Sequence, residues 1–159
     1  MKKGFIIFVI LFLSNTSIAL ERIVDGITEK MTDNEQLFYM STRCDALFLS
    51  QVNRISAELA AIGDVTNNTD ETKNNVRKTS DILDTLIDTL SKVHLFSLKI
   101  GEAIGETEQL VNIKVLNLSS LYDKQRSVAY IGPNGFTSIE EDDIRFCGAF
   151  LKELGVEIK

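Results

Sequence analysis

Apolar residues recur at steps of three and four along most of the chain, which is the period of an amphipathic α-helix. The first such segment, residues 34–62, places these side chains on one stripe: Leu37, Met40, Cys44, Phe48, Val52, Ile55, Leu59 and Ile62. Gly63 ends the segment, and the residues after it are rich in the Asn, Asp and Thr side chains that favour turns and caps. We therefore predict a helix of about eight turns followed by an exposed connection.

A second helix is predicted from about Thr72, where apolar positions return in two rows. The rows are Val76, Leu83 and Leu90, and Thr79, Leu86 and Val93. This seven-residue spacing is typical of helices that pack side by side in a bundle. Gly101 and Gly105 interrupt the pattern, and a turn placed here keeps the helix within the usual length. A third helix is predicted over residues 106–129, and its broad apolar face indicates a well-buried element.

The last predicted helix spans residues 139–154 and follows the turn sequence Gly-Pro-Asn-Gly at residues 132–135. Ser138 and Glu141 have the spacing of a capping box at its start. No alternating strand pattern occurs in the sequence, so the predicted fold class is all-α. We predict an up-down four-helix bundle over residues 34–159, preceded by a mixed lead-in over residues 20–33.

The first nineteen residues have the composition of a secretory signal. Lys2 and Lys3 precede an apolar run of about nine residues, Phe5–Leu13, and small residues follow it. This run is too short for a transmembrane helix, which needs roughly 20 residues. We predict cleavage between Ala19 and Leu20, a periplasmic or secreted protein, and no stable membrane insertion after cleavage.

The chain has two cysteines, Cys44 and Cys147, and both belong to the predicted exported part. In an oxidising compartment an even count of two favours one intramolecular disulfide. Both cysteines lie on apolar stripes, at similar distances from the end where antiparallel first and last helices would meet. We predict a disulfide that links these two helices, and a loop of about 100 residues makes it worth about 4–5 kcal/mol in a chain-entropy treatment.

The charge of the chain argues against two classes of partner. Seventeen Lys and Arg residues face 23 Asp and Glu residues, a formal net charge of −6, and loss of Lys2 and Lys3 with the signal would take it to −8. Nucleic acids and anionic lipids bind proteins through clustered cations. We therefore expect neither as a partner, and the sequence indicates no particular oligomeric state.

No catalytic, cofactor or metal site is predicted. His94 is the single histidine, and no second residue stands at a spacing typical of metal ligands or of a catalytic triad. The acidic residues 140–143 are explained by the first turn of a helix, which favours negative charge. A calcium-loop pattern that begins at Asp64 fails at its sixth and twelfth positions. A thiol enzyme in which His94 activates Cys44 is an alternative that requires a free thiol.

The first functional hypothesis is a non-enzymatic exported protein that binds another exported or envelope protein. Phe38, Tyr39, Phe146 and Phe150 lie on the flanks of their helices, where aromatic side chains either belong to a wide bundle core or, if exposed, form an interaction patch. A partner would dock on this helical face.

Two alternative hypotheses place the protein in other functional classes. A small-molecule sensor or carrier would hold its ligand between helices, and this hypothesis predicts a cavity near His94, Thr79 and Ser80. An acid-responsive periplasmic chaperone would loosen at low pH, when its many carboxylates become protonated, and would expose its apolar faces.

Overall fold

The structure is a computed structural model that describes residues 20–63 and 69–155, and the regular elements within them are all helical. The five helices are α1 (Ile23–Gly26), α2 (Asp33–Gly63), α3 (Asp70–Ala103), α4 (Glu108–Val128) and α5 (Ser138–Glu153). The all-α prediction is confirmed. In the described part of the chain, no helix combines the length and the apolar character that crossing a membrane requires. The predicted signal, residues 1–19, and the connection after α2, residues 64–68, lie outside the described residues.

Helix α2 is the central element of the fold. It packs against α3, α4 and α5, and every residue from Ser41 to Phe48 is buried. A helix in an up-down four-helix bundle keeps an outer face in water, whereas this stretch of α2 is enclosed on all sides. The predicted up-down arrangement is therefore not confirmed.

The core lies along the C-terminal half of α3. No side chain of α3 is buried between Asp70 and Asp88, so the apolar rows predicted there are at most partly covered. The buried positions of α3 are Thr89, Val93, Ser97 and Gly101. The sequence pattern identified the helix correctly but not where along it the core begins.

The turn between α3 and α4 is formed at Gly105, whose φ of 85° is left-handed and suits glycine. The N–H of Glu106 donates to the carbonyl of Gly101 at 2.8 Å, and the N–H of Gly105 donates to that of Glu102 at 3.0 Å. These two bonds are a Schellman motif. Gly101 does not break the helix. It allows a close approach of α4, since a Cβ there would lie 2.6 Å from Val111 Cγ2.

Helix α5 begins with a capping box at Thr137 and Glu140, one residue earlier than predicted for Ser138 and Glu141. The Glu140 N–H donates to Thr137 Oγ1 at 3.2 Å, and the Thr137 N–H donates to Glu140 Oε2 at 2.7 Å. The prediction was wrong by one residue because Glu140 faces the interior, where its carboxylate also accepts from Arg126.

The lead-in is part of the folded unit. Leu20 and Ile23 belong to the buried core, and Ile23 has no exposed surface. Gly26 lies against Tyr39, since a Cβ at Gly26 would be 1.9 Å from the tyrosine oxygen. Substitution of Gly26 would therefore push this segment away from α2.

The two cysteines are at disulfide distance. The Sγ atoms of Cys44 and Cys147 are 2.06 Å apart, their Cα atoms are 5.6 Å apart, and both residues are fully buried. The pair joins α2 to α5 across a sequence separation of 103 residues. The cross-link predicted between the first and last long helices has the geometry that a disulfide requires.

Candidate functional site

Polar side chains of α2 reach into the interior and bond to three different helices. Arg43 and Gln51 bond to side chains of α5, Asp45 bonds to α3 and Ser50 bonds to α4. All four residues are buried. A buried polar group without a hydrogen bond is costly, so these contacts fix how the other helices sit around α2.

The first of these contacts is a closed ionic cluster. Arg43 Nη2 lies 2.9 Å from Asp143 Oδ2, which also accepts from the Tyr122 hydroxyl, while Asp143 Oδ1 accepts from the Ile23 N–H at 2.9 Å. Arg43 Nη2 also donates to the carbonyl of Glu21 at 2.6 Å. Burial raises the pKa of Tyr122, so this hydroxyl stays a hydrogen-bond donor. The cluster anchors the N-terminal segment and has no access to solvent.

The second cluster surrounds Glu140. Arg126 Nη1 lies 2.7 Å from Glu140 Oε1, which also accepts from Gln51 Nε2 at 3.0 Å. Burial opposes ionisation of this carboxyl, but the Thr137 N–H and Arg126 together hold the pKa of Glu140 below its ordinary value. Arg126 also donates to the carbonyl of Gly135, so this cluster fixes the turn before α5.

These clusters divide the acidic residues 140–143, which the sequence analysis explained by the first turn of a helix. Glu140 and Asp143 are buried, whereas Glu141 and Asp142 are only partly buried. The sequence does carry a signal for this division, because Glu140 and Asp143 share the stripe of Cys147. In the described part of the chain, no group of three or more His, Cys, Asp or Glu side chains could hold a metal ion.

A cavity of about 440 Å³ opens between α2, α3 and α4. Its lining consists of Asp45 and Leu49 from α2, Leu90, Ser91 and His94 from α3, and Asn112, Val115 and Leu116 from α4. Ligand pockets in proteins measure about 300–1,000 Å³ and combine apolar walls with a few convergent polar groups. This cavity, which we call the central pocket, has both properties.

The polar centre of the central pocket is an aspartate–histidine pair. Asp45 Oδ2 lies 2.8 Å from His94 Nδ1, and the Asp45 side chain is 1% exposed whereas that of His94 is 34% exposed. Burial raises the pKa of Asp45, and the hydrogen bond from His94 opposes this effect. The two ring nitrogens diverge, so a carboxylate bound at Nδ1 leaves Nε2 directed away from Asp45.

A second polar group lies beside the same carboxylate. The Ser97 hydroxyl neighbours Asp45, yet neither Ser97 Oγ nor Asp45 Oδ1 makes a hydrogen bond of normal geometry within the described residues. Titratable groups with shifted pKa values that lie in clefts are found preferentially at functional sites. Asp45, whose pKa is raised by burial, lines the central pocket together with His94. The aspartate–histidine pair is therefore a better candidate for a functional site than either closed cluster.

The structure supplies a partner for His94 that the sequence analysis missed. Asp45 lies 49 residues earlier in the chain, and no local spacing connects the two. Cys44, the other partner considered, is at disulfide distance from Cys147. The cavity predicted near His94 is present, but Thr79 and Ser80 are not among its lining residues because they lie in the part of α3 that has no buried side chain.

The predicted aromatic patch is not an exposed surface. Phe38 and Phe150 are both 7% exposed, and Tyr39 and Phe146 are partly buried against the same core. Phe150 meets Phe96 of α3 edge-on, with ring centroids 6.1 Å apart, and stacks with Phe146 at 6.2 Å. Different parts of the fold cover these side chains: Phe96 of α3 meets Phe150, Gly101 of α3 lies close to Phe38, and Gly26 lies against Tyr39.

Comparison with known proteins gives no further information about the site. A scan against protein-family models, a search of curated proteins and a search of solved structures each find no match to the chain.

Replacement of Asp45 by asparagine is expected to stabilise the fold at about pH 8, by about 1 kcal/mol, because the amide removes a buried charge. The pKa of Asp45 is raised in the folded state above its ordinary value of 3.8. With respect to this group, the wild-type fold is therefore most stable below pH 3.8, and it loses this stability as the pH rises through the folded-state pKa. The gain over wild type should therefore disappear in acid. Urea unfolding at about pH 8 and in acid measures the difference in stability between the variant and wild type, with Asp84→Asn as a control at an exposed position. Destabilisation by Asp45→Asn at about pH 8 would contradict this account.

Proposed function

We propose that this chain is an exported, non-enzymatic binding protein that holds a small amphipathic molecule in the central pocket. The observation that carries the proposal is a cavity of about 440 Å³ whose apolar walls surround a buried carboxylate and a half-exposed imidazole. Export rests on the predicted signal, and a cysteine pair at disulfide distance is compatible with an oxidising compartment. The proposal needs no up-down order of the long helices.

The geometry favours binding over catalysis. A histidine backed by a carboxylate acts as a general base when a nucleophile is hydrogen-bonded to its other nitrogen. Ser91 is the hydroxyl that lines the central pocket, and its Oγ donates to the carbonyl of Ile87 at 2.9 Å. The imidazole is therefore available to a ligand.

Replacement of Ser91 by tryptophan is expected to weaken binding of the neutral fluorophore N-phenyl-1-naphthylamine by about tenfold or more. Ser91 is exposed on α3 at the edge of the central pocket, so an indole tolerated there would occupy the space of the ligand. Wild-type protein should bind the fluorophore saturably at one site, and a fluorescence titration measures both affinities.

The matched control is Ser120→Trp, an exposed serine of α4 that does not line the central pocket. Its affinity for the fluorophore should stay close to that of wild type. Absence of saturable binding to wild type, or an equal loss in both tryptophan variants, would contradict a ligand site between α2, α3 and α4.

The second candidate is the protein-binding function expected from the sequence. The observation that favours it is an apolar row on α4, in which Leu110, Ile113 and Leu116 are 46%, 45% and 60% exposed. The partner expected from the sequence is another exported or envelope protein. Leu116 also lines the central pocket, so a protein that covers this row would reduce fluorophore binding. A Leu116→Glu variant that captures the same exported proteins as wild type would exclude this candidate.

A further inference from the structure

We propose that the central pocket selects an organic ammonium, that is, an apolar body with a protonated amine head that bonds to His94 Nε2. This inference rests on the proposed function and adds the chemistry of the ligand. It is carried by the charges of the lining residues and by the orientation of the imidazole.

The charges around the central pocket favour a cation. Within the described part of the chain, the titratable residues that line the cavity are Asp45 and His94, and no lysine or arginine is among its lining residues. Helix α4 contributes one polar lining residue, Asn112, which also borders a neighbouring depression that contains Glu108. An anionic head would therefore enter next to a buried carboxylate without a basic side chain to pair with, in a chain of formal charge −6.

The hydrogen bond between Asp45 and His94 determines what the imidazole offers to a ligand. A carboxylate at Nδ1 holds the proton of the neutral ring on that nitrogen and leaves the lone pair on Nε2. An ammonium N–H can donate to this lone pair, while the charge of Asp45 compensates that of the ligand. The body of the ligand would lie against the apolar walls, which are formed by Leu49, Leu90, Val115 and Leu116.

The neighbours of His94 are compatible with a cationic ligand. The groups that face His94 are Asp45 from α2 and the uncharged lining residues of α4. Lys92, close by on α3, is paired with Asp88 at 2.6 Å and is exposed.

Three probes of equal chain length separate the possible head groups: octylamine, 1-octanol and octanoate. Each competes with N-phenyl-1-naphthylamine for wild-type protein. At about pH 8 octylamine should bind about tenfold more tightly than octanoate, with octanol between them, because a charge-assisted hydrogen bond is worth more than a neutral one.

Two variants assign these effects to the aspartate–histidine pair. Asp45→Asn should lower the octylamine-to-octanol affinity ratio by about tenfold, because it removes the charge that compensates the ammonium. His94→Phe should lower the same ratio, because the acceptor at Nε2 is lost. The affinity ratio is used because a general loss of folding would weaken all three probes together.

The outcomes distinguish this inference from the proposed function on which it rests. If the fluorophore does not bind wild-type protein, the proposed function fails. If it binds but octanoate competes as well as octylamine, or His94→Phe leaves the octylamine-to-octanol ratio unchanged, the pocket stands and its selection of an ammonium is overturned.

Discussion

Replacement of Arg43 by alanine is expected to lower the free energy of unfolding by about 3–5 kcal/mol, because it leaves a buried carboxylate without its positive partner. Arg43 and Asp143 are 3% and 1% exposed, and their ion pair is 2.9 Å long. The loss should extend to the N-terminal segment, since Arg43 also donates to the carbonyl of Glu21. Urea unfolding followed by circular dichroism measures the change.

The matched control for this prediction is Arg145→Ala. Arg145 also pairs with an aspartate, Asp142, but its side chain is 74% exposed, and exposed ion pairs contribute about 0–1 kcal/mol. Addition of Asp143→Ala to Arg43→Ala should cost less than the sum of the two single losses, because the second change removes the uncompensated charge. Similar small losses at Arg43 and Arg145 would show that the interior cluster does not hold α2 to α5.

Replacement of both cysteines by alanine is expected to lower the free energy of unfolding by about 4–5 kcal/mol, the chain-entropy value for a loop of about 100 residues. Alanine is preferable to serine here because both positions are fully buried and a hydroxyl would lack a partner. Urea unfolding of the double variant, compared with wild type, measures the difference.

The control for the cysteine prediction is the redox state of wild-type protein. Without reductant, neither Cys44 nor Cys147 should react with an alkylating reagent, even in denaturant, whereas reductant in denaturant should release two thiols per chain. A thiol that is alkylated before reduction, or a double variant as stable as wild type, would rule out the cross-link.

The helices themselves could be predicted with useful accuracy from hydrophobic periodicity. Residues 34–62 and 106–129 were predicted as helices, and α2 (Asp33–Gly63) and α4 (Glu108–Val128) differ from them by at most two residues at either end. The glycine at the end of α3 was also recognised, because a left-handed residue at this position leaves a strong local signal. These features depend on neighbours within a few residues.

The packing of the helices could not be predicted in the same way. Binary patterning assigns polar residues to the solvent, and on α2 that assignment fails for Arg43, Asp45 and Gln51. Each of these side chains is buried because a partner on another helix meets it. Whether a polar flank faces water or another helix depends on contacts distant in sequence, which periodicity does not encode.

The buried polar groups divide along the same line. Glu140 and Asp143 could have been placed inside, because they share a stripe with Cys147. The pairing of Asp45 with His94 could not, because it joins two helices across 49 residues. His94 was considered for a cavity or as a base for Cys44, but its partner in the wall of the central pocket is Asp45.

The measurement that tests the central claim most directly is a methyl NMR titration with N-phenyl-1-naphthylamine, whose aromatic rings strongly shift the signals of methyl groups close to them. The account predicts large shifts for methyl groups of Leu49, Leu90 and Val115, which line the central pocket from three helices, and little change at exposed Val128. Shifts confined to Val128 or to other surface methyl groups, or no shifts at saturating fluorophore, would contradict a ligand site in the central pocket.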